Sequence, residues 1–236
     1  MSQTENNSPT NGGNMDEIKM PLDAAILTRH STRLYKADPV PRSIIEHSLE
    51  LATHSPSNSN TQAWRMFIVT GAALDRLKSA LVHEASLGSE PNIPGLPAQF
   101  RPYRSELGKL VYGEGYQIAR DDKEGRKAAV LRNFEFFGAP VGVIVCMSAE
   151  LHGHAALSVG MYVQTFLLAL TERAVGSCVE VSISGYPEVV RREVGIPNDM
   201  QVLCGIAIGY EDSGAVVNHI RSGREEFAKT TVFVDQ

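Results

Sequence analysis

Two continuous apolar runs constrain this chain most. Val141–Met147 (VGVIVCM) and Val202–Tyr210 (VLCGIAIGY) have strand length and no polar alternation, so each must be covered on both faces. Between them, Ala155–Ala174 is helical in length and apolar nearly all round, the profile of a helix sunk in a core or a subunit interface. At 236 residues and 43% hydrophobic side chains, the chain can bury one such core without disulfide or metal staples.

The remaining pattern is read around that centre. A short helix is expected from Leu22. A second follows Pro41, with Ile44, Ile45, Leu49 and Ala52 on one face, and a third carries Leu74, Leu77, Ala80 and Leu81. Trp64–Val69 reads as a strand stopped by Thr70 and Gly71. Further helices are expected from about Tyr103, over Lys123–Phe137 and over Pro187–Val194, with a strand in SCVEVSI (177–183). Thr230–Val234 (TTVFV) reads as a lone terminal strand, which needs a partner edge. Helices come first and widely spaced strands later, without βαβ alternation, so the expected class is α+β with a mostly antiparallel sheet.

Residues 1–19 are expected to be a disordered tail, since the first fourteen offer almost no apolar surface to offset their ordering entropy. Residues 20–236 form a single expected domain. Its Pro-rich excursion, 88–102, is either a lid or an inert surface insertion.

Several function classes are disfavoured. Twenty-seven acidic against 22 basic residues, net −5, do not suit a nucleic-acid protein that relies on a general basic field, so any phosphate binding must be local. Cys146, Cys178 and Cys204 are far apart in apolar stretches, the usage of buried reduced thiols in a cytoplasmic protein. No signal peptide opens the chain, and Ala155–Leu170, interrupted by Ser158, Gln164 and Thr165, reads as too short and too polar for a membrane span. No GxGxxG follows a strand; Gly113-Glu114-Gly115 lacks a third glycine. Ala156–Gly160 approximates a nucleophile elbow but falls inside a helix. His152 and His154 are two apart, on different helix faces, so no metal is expected.

Three polar spots remain: Arg29–Arg33 (RHSTR), the loop Ser55–Trp64 (SPSNSNTQAW), and Arg221–Arg224 (RSGR). Taken singly, each can be ordinary turn or surface chemistry. Arginines on phosphate gain charge-assisted, often bidentate bonds, so two clusters converging on one anion would explain basic spots in an acidic protein.

In this order, and with NFEFFGAP (133–140) before a buried strand, the segments resemble the FMN-dependent nitroreductase family over residues 20 to 236. The resemblance implies an α+β sandwich forming an intertwined homodimer, with the buried helix at the interface, the terminal strand added to the partner's sheet, and FMN sites built from both subunits. Carried over by position, Arg29 and Ser31 would hold the phosphate and ribityl side. Arg33 would sit beside the flavin N1/O2 edge and support the reduced flavin electrostatically. Pro56, Ser57 and Asn58 would reach the cofactor from the partner, and Asn60 and Gln62 would bond the isoalloxazine rim. Val181 and Ser182 would approach N5, and Arg221 and Arg224 would complete a phosphate clamp. Gln62-Ala63-Trp64 departs from the family's Gln-Pro-Trp, and Gly176–Ser182 departs from its Gly-rich stretch.

The implied activity is ping-pong transfer of hydride from NADH or NADPH, through flavin N5, to nitroaromatics or quinones. Two alternatives stay open: a substrate-specific FMN dehydrogenase or reductase on the same fold, and a non-catalytic flavin-binding protein. Neither nucleic acid nor membrane is an expected partner.

Overall fold

The computed structural model describes residues 20–235, so the expected N-terminal tail lies outside the described residues. Four strands, β1 (Arg65–Thr70), β2 (Val141–Ser148), β3 (Gly176–Glu180) and β4 (Met200–Gly209), form an antiparallel sheet in the order β1-β2-β4-β3. The helices are α1 (Leu22–Thr28), α2 (Arg42–Ala52), α3 (Gly71–Ser86), α4 (Arg101–Gly108), α5 (Lys123–Leu131), α6 (Gly153–Glu172), α7 (Pro187–Val194) and the single turn α8 (Phe227–Thr230). The α+β expectation holds.

The two apolar runs are the central strands. Val141, Val143, Val145 and Met147 face α6 together with Cys204, Ile206 and Ile208, while Ile144, Cys146 and Ala207 face the opposite layer. A bulge interrupts the β2–β4 register between Val145 and Cys146, where Leu203 drops out of the pairing. Both faces of β2 are dry, which is why the strand shows no alternation.

On one side α6 buries Ala155, Val159, Tyr162, Phe166 and Leu170, a 3.6-residue stripe packed on the sheet and α2. Trp64, just before β1, stacks on Tyr162 with ring centroids 4.6 Å apart. Truncating Phe166 or Leu170, both fully buried, should cost about 2–5 kcal/mol each. With 20 residues, α6 is long and apolar enough to cross a membrane by length and composition, contrary to the sequence expectation. Its inner face is instead part of the protein core. On the other side Leu74, Leu77 and Leu81 of α3 point at the sheet alongside Val189 and Val190 of α7.

Several boundaries differ from expectation. The helix expected over 123–137 stops at Leu131; turns follow over 132–135, and Phe136 and Phe137, at φ of 50° and 51°, lead the chain toward β2. β3 ends at Glu180 and continues as a 3₁₀ turn, Val181–Gly185. α4 starts at Arg101 and widens into a π-helical turn, Lys109–Gly115. The 88–102 excursion is partly docked: Asn92 N donates to Gly185 O at 2.8 Å and the Tyr186 hydroxyl to Ser89 O at 3.0 Å. Residues 231–235 form no strand within the chain, although β1 leaves one edge of its sheet unpaired.

Candidate active site

The first polar segment leaves α1 at Arg29 and runs beside the outer edge of β3. Ser31 forms a parallel bridge with Ser177, and Thr32 N donates to Ser177 O at 3.0 Å. Gly176 permits this crossing, since a Cβ there would stand 2.6 Å from Thr32 Oγ1. Beyond it, the backbone N–H groups of Arg33 and Leu34 donate to Asn218 Oδ1 at 2.7 and 3.2 Å. Asn218 Nδ2 donates to Leu34 O at 2.8 Å and Asp212 O at 2.9 Å. This fully buried amide joins the RHSTR segment to the 3₁₀ turn, Val216–His219, that leads into RSGR. Arg221 then donates to Asn218 O at 2.7 Å, which fixes the second arginine segment to the same residue.

The outcome is a cavity of about 460 Å³ lined by Arg29, Ser31, Arg33, Arg221 and Arg224, with Ile26, Leu27 and Ile220 as apolar wall and no carboxylate. Arg221 and Arg224 each use Nη1 on nearby carbonyls, leaving their remaining N–H groups for a ligand. Among the described residues none of these arginines is ion-paired. Unpaired, convergent guanidinium groups suit a phosphate ester. Five of the twelve candidate site residues thus line one cavity.

The amide loop is elsewhere. Ser31 is level with Thr70 across the sheet, whereas the Pro56–Gln62 loop enters β1 at Arg65. Four strand spacings laterally and five residues along the strand put roughly 25 Å between the two regions. The loop is anchored on α2 and α6: Ser55 Oγ donates to Thr165 Oγ1 at 3.0 Å, and Asn58 N to Ser158 Oγ at 3.3 Å. Ser57 Oγ closes it by accepting from Gln62 N at 3.1 Å, and Gln62 Nε2 donates to Asn60 Oδ1 at 3.2 Å. Ser59, Asn60 and Gln62 all adopt positive φ, 51°, 54° and 45°, an uncommon cluster of left-handed non-glycine residues.

Val181 and Ser182 do not line the arginine cavity. Val181 is exposed, while Ser182 Oγ is buried without a hydrogen-bond partner among the described residues. Thr32 Oγ1 is orphaned likewise. Such unsatisfied hydroxyls beside the arginine cavity and at the end of β3 fit a polar ligand better than a dry core.

Sequence reading missed Asn218 and Glu180. Asn218 sits in the apolar string VVNHI, and only its partners far along the chain reveal its role. Glu180 is 2% exposed, and neither carboxylate oxygen has a partner among the described residues. Burial pushes its carboxyl well above the ordinary range, against the pull of Arg33 and Lys78. Burial therefore favours the protonated form of this acid, which Arg33 and Lys78 oppose. The same burial pushes the thiols of Cys146, Cys178 and Cys204 up to about 12, so all three remain unreactive thiols.

A family model described as the nitroreductase family matches residues 26–210. This chain belongs to the nitroreductase family. It is 31% identical to the 4-nitrobenzoate reductase of Pseudomonas putida, over 86% of this chain and 91% of that protein. It is 33% identical to nitroreductase NfnB of Mycolicibacterium smegmatis, over 92% of this chain and 94% of that one. The crystal structure of the FMN-dependent nitroreductase NfnB from Mycobacterium smegmatis in complex with NADPH superposes with a TM-score of 0.85 at 32% identity, covering 90% of this chain and 97% of that one. The nitroreductase sandwich is thus the fold of this chain, and the chain is an oxidoreductase of the FMN-dependent type.

Proposed function

We propose that this nitroreductase-family chain uses FMN to pass hydride from NADH or NADPH to nitroaromatic acceptors, and to quinones, as a homodimer. The observation that carries this reading is the convergence of Arg29, Arg33, Arg221 and Arg224 on one carboxylate-free cavity, welded through Asn218. Relatives named as a 4-nitrobenzoate reductase and as nitroreductases support the acceptor class.

Arg29, Ser31, Arg221 and Arg224 would hold the phosphate end of the cofactor. FMN, when bound, supplies the hydride exchange itself. Arg33 stands where this cavity meets a second one, held by its own backbone N–H on Asn218 and by its guanidinium on Ser31 O at 3.3 Å. A cation fixed there stabilises negative charge that develops on a ring bound beside it, without reorganising during the reaction.

Two observations support the dimer. The amide loop is too far from Arg33 to meet the same ligand within one chain, yet it is stiffened as a binding loop would be. The tail also exposes Phe227, Val232, Phe233 and Val234, while β1 is a sheet edge flanked by an apolar groove of about 600 Å³ lined by Ile45, Leu49 and Ile68. In this reading the tail of one protomer adds to β1 of its partner, and each site takes its amides from the other copy. Residues 20–236 then act as one functional domain, and the reduced buried thiols suit a cytoplasmic enzyme.

The decisive experiment is a visible spectrum followed by anaerobic NADH or NADPH. A yellow protein whose bands bleach is expected; a colourless protein that takes up no added FMN overturns the reading. Truncation after Glu226 should convert the dimer to monomer on size-exclusion chromatography.

A further inference from the structure

The arginine cavity is one of four that share walls; one neighbour, joined through Leu107, Ser222 and Arg224, carries Glu106, Glu225 and Glu226. Arg33 and Leu107 also border a second cavity of about 410 Å³, which includes Arg104, Tyr112, Tyr116 and Arg126. Arg104, Tyr112 and Arg126 border in turn a third, of about 880 Å³, which adds Arg101, Lys109 and Arg120. The second and third cavities therefore present six cationic side chains and no carboxylate, in a chain whose net charge is −5. None of the six is ion-paired among the described residues.

Acids are not scarce in this stretch. Glu106, Glu114, Asp121, Asp122 and Glu124 stand on the same elements, all exposed, and none lines either cavity. The fold sorts charge by face rather than by sequence, so an anion in the cleft meets cationic side chains and no lining carboxylate.

Local structure explains how the cleft is held. α4 passes directly into the π-helical turn Lys109–Gly115, a form that recurs at functional sites. Gly115 seats the turn: a Cβ there would stand 3.1 Å from Val217, next to Asn218. The cleft is thus tied to the residue that also fixes Arg33. Its wall is aromatic as well as cationic. The Arg126 guanidinium lies 5.9 Å from the Tyr112 ring centroid, and the Tyr116 ring follows at 6.5 Å. Stacked guanidinium and phenol groups accept a flat ring and pair its negative substituent.

We propose that this cleft is an anion-recognition site, in which a flat aromatic ligand rests against Tyr112 and presents its negative group to Arg104 and Arg126. The inference rests on the oxidoreductase function proposed above. The shared chemistry is an anion carried on an aromatic body, and two sources supply it: a carboxylate on the acceptor ring, or the extra phosphate of NADPH.

The test compares matched pairs on the FMN-loaded enzyme. With NADH fixed, kcat/KM is measured for 4-nitrobenzoate and 4-nitrobenzamide; with 4-nitrobenzamide fixed, it is measured for NADPH and NADH. At low ionic strength at least one anionic-to-neutral ratio is expected to exceed about tenfold and to shrink as salt is raised. Arg104→Ala and Arg126→Ala should each cut that ratio roughly tenfold, and Arg104→Lys should recover part of it. A large acceptor ratio assigns the site to a carboxylate, a large donor ratio to the phosphate. Both ratios near one in an enzyme that still reduces the amide would overturn the cleft assignment while leaving the flavin function intact. If the protein holds no flavin, equilibrium dialysis of NADP⁺ and 4-nitrobenzoate still decides. Binding that is lost with salt and in Arg104→Ala supports the site; binding that is absent or unchanged overturns it.

Discussion

Arg29–Arg33 and Pro56–Gln62 both carry ligand-type side chains, but opposite means hold them in place. The arginine segment lies on β3 and is pinned from inside by Asn218, whose amide makes four hydrogen bonds in a fully buried setting. The amide loop is largely exposed, contains three left-handed non-glycine residues, and is tied by the short hydroxyl side chains of Ser55, Ser57 and Ser158. One region aims its groups into a cavity of its own chain. The other holds its groups outward in a conformation that local sterics disfavour. The contrast teaches that rigidity alone does not mark a complete site: the first region has its cavity, and the second, though stiffened as well, lies away from that cavity.

Breaking the buried side should cost most. Asn218→Ala leaves the N–H groups of Arg33 and Leu34 without an acceptor, a loss of roughly 2–4 kcal/mol in thermal or urea unfolding, with FMN uptake impaired. A melting temperature equal to wild type would show that the weld does not hold the cavity. Removing the clamp without the weld, Arg221→Ala with Arg224→Ala, should weaken FMN binding about 100-fold while stability changes little. A double variant that purifies with full flavin would refute the clamp. Arg33→Ala is expected to slow anaerobic flavin reduction about tenfold in stopped flow, with smaller loss of cofactor retention.

On the exposed side, Ser57→Ala should remove the closing bond to Gln62 and cost about 1 kcal/mol. Its effect on FMN affinity should appear in the dimer and vanish in the Glu226 truncation, which is where the comparison sharpens. The smallest effect at pH 5 is expected from Glu180→Gln, and its sign is opposite. A carboxyl whose folded pKa is raised retains its proton in the native state while the unfolded chain loses it. Wild-type stability therefore falls as pH rises above the ordinary glutamate range, up to the raised folded value. The glutamine, neutral throughout, should gain on wild type over that range, and parallel stability profiles from pH 4 to 8 would disprove the neutral buried acid.

Much of this was legible from residue pattern. Val141–Met147 announced a strand dry on both faces because nothing polar interrupts it, and Leu74, Leu77 and Leu81 announced the inner face of α3 through their spacing. The arginine segments were legible as a pair only through their order along the chain. What escaped was set by tertiary contact. No local signal marks Asn218 as the partner of Arg33, or Glu180 as an acid buried beside it. Nor does anything in RPYRSELGKLVYGEG distinguish a helix that continues from one that widens into a π turn and gathers arginines on one side. The terminal TTVFV carries real strand propensity, but propensity alone does not bring a segment to a sheet edge.

The Asn218 weld has a consequence for biogenesis. Arg33 and Asn218 are separated by 185 positions, so their contact closes one of the longest loops this polypeptide offers. On the ribosome, the first half of the cavity leaves the exit tunnel long before its complement is made. A clamp made of both arginine segments, as proposed, is therefore complete only once Asn218 has been made and has met Arg33.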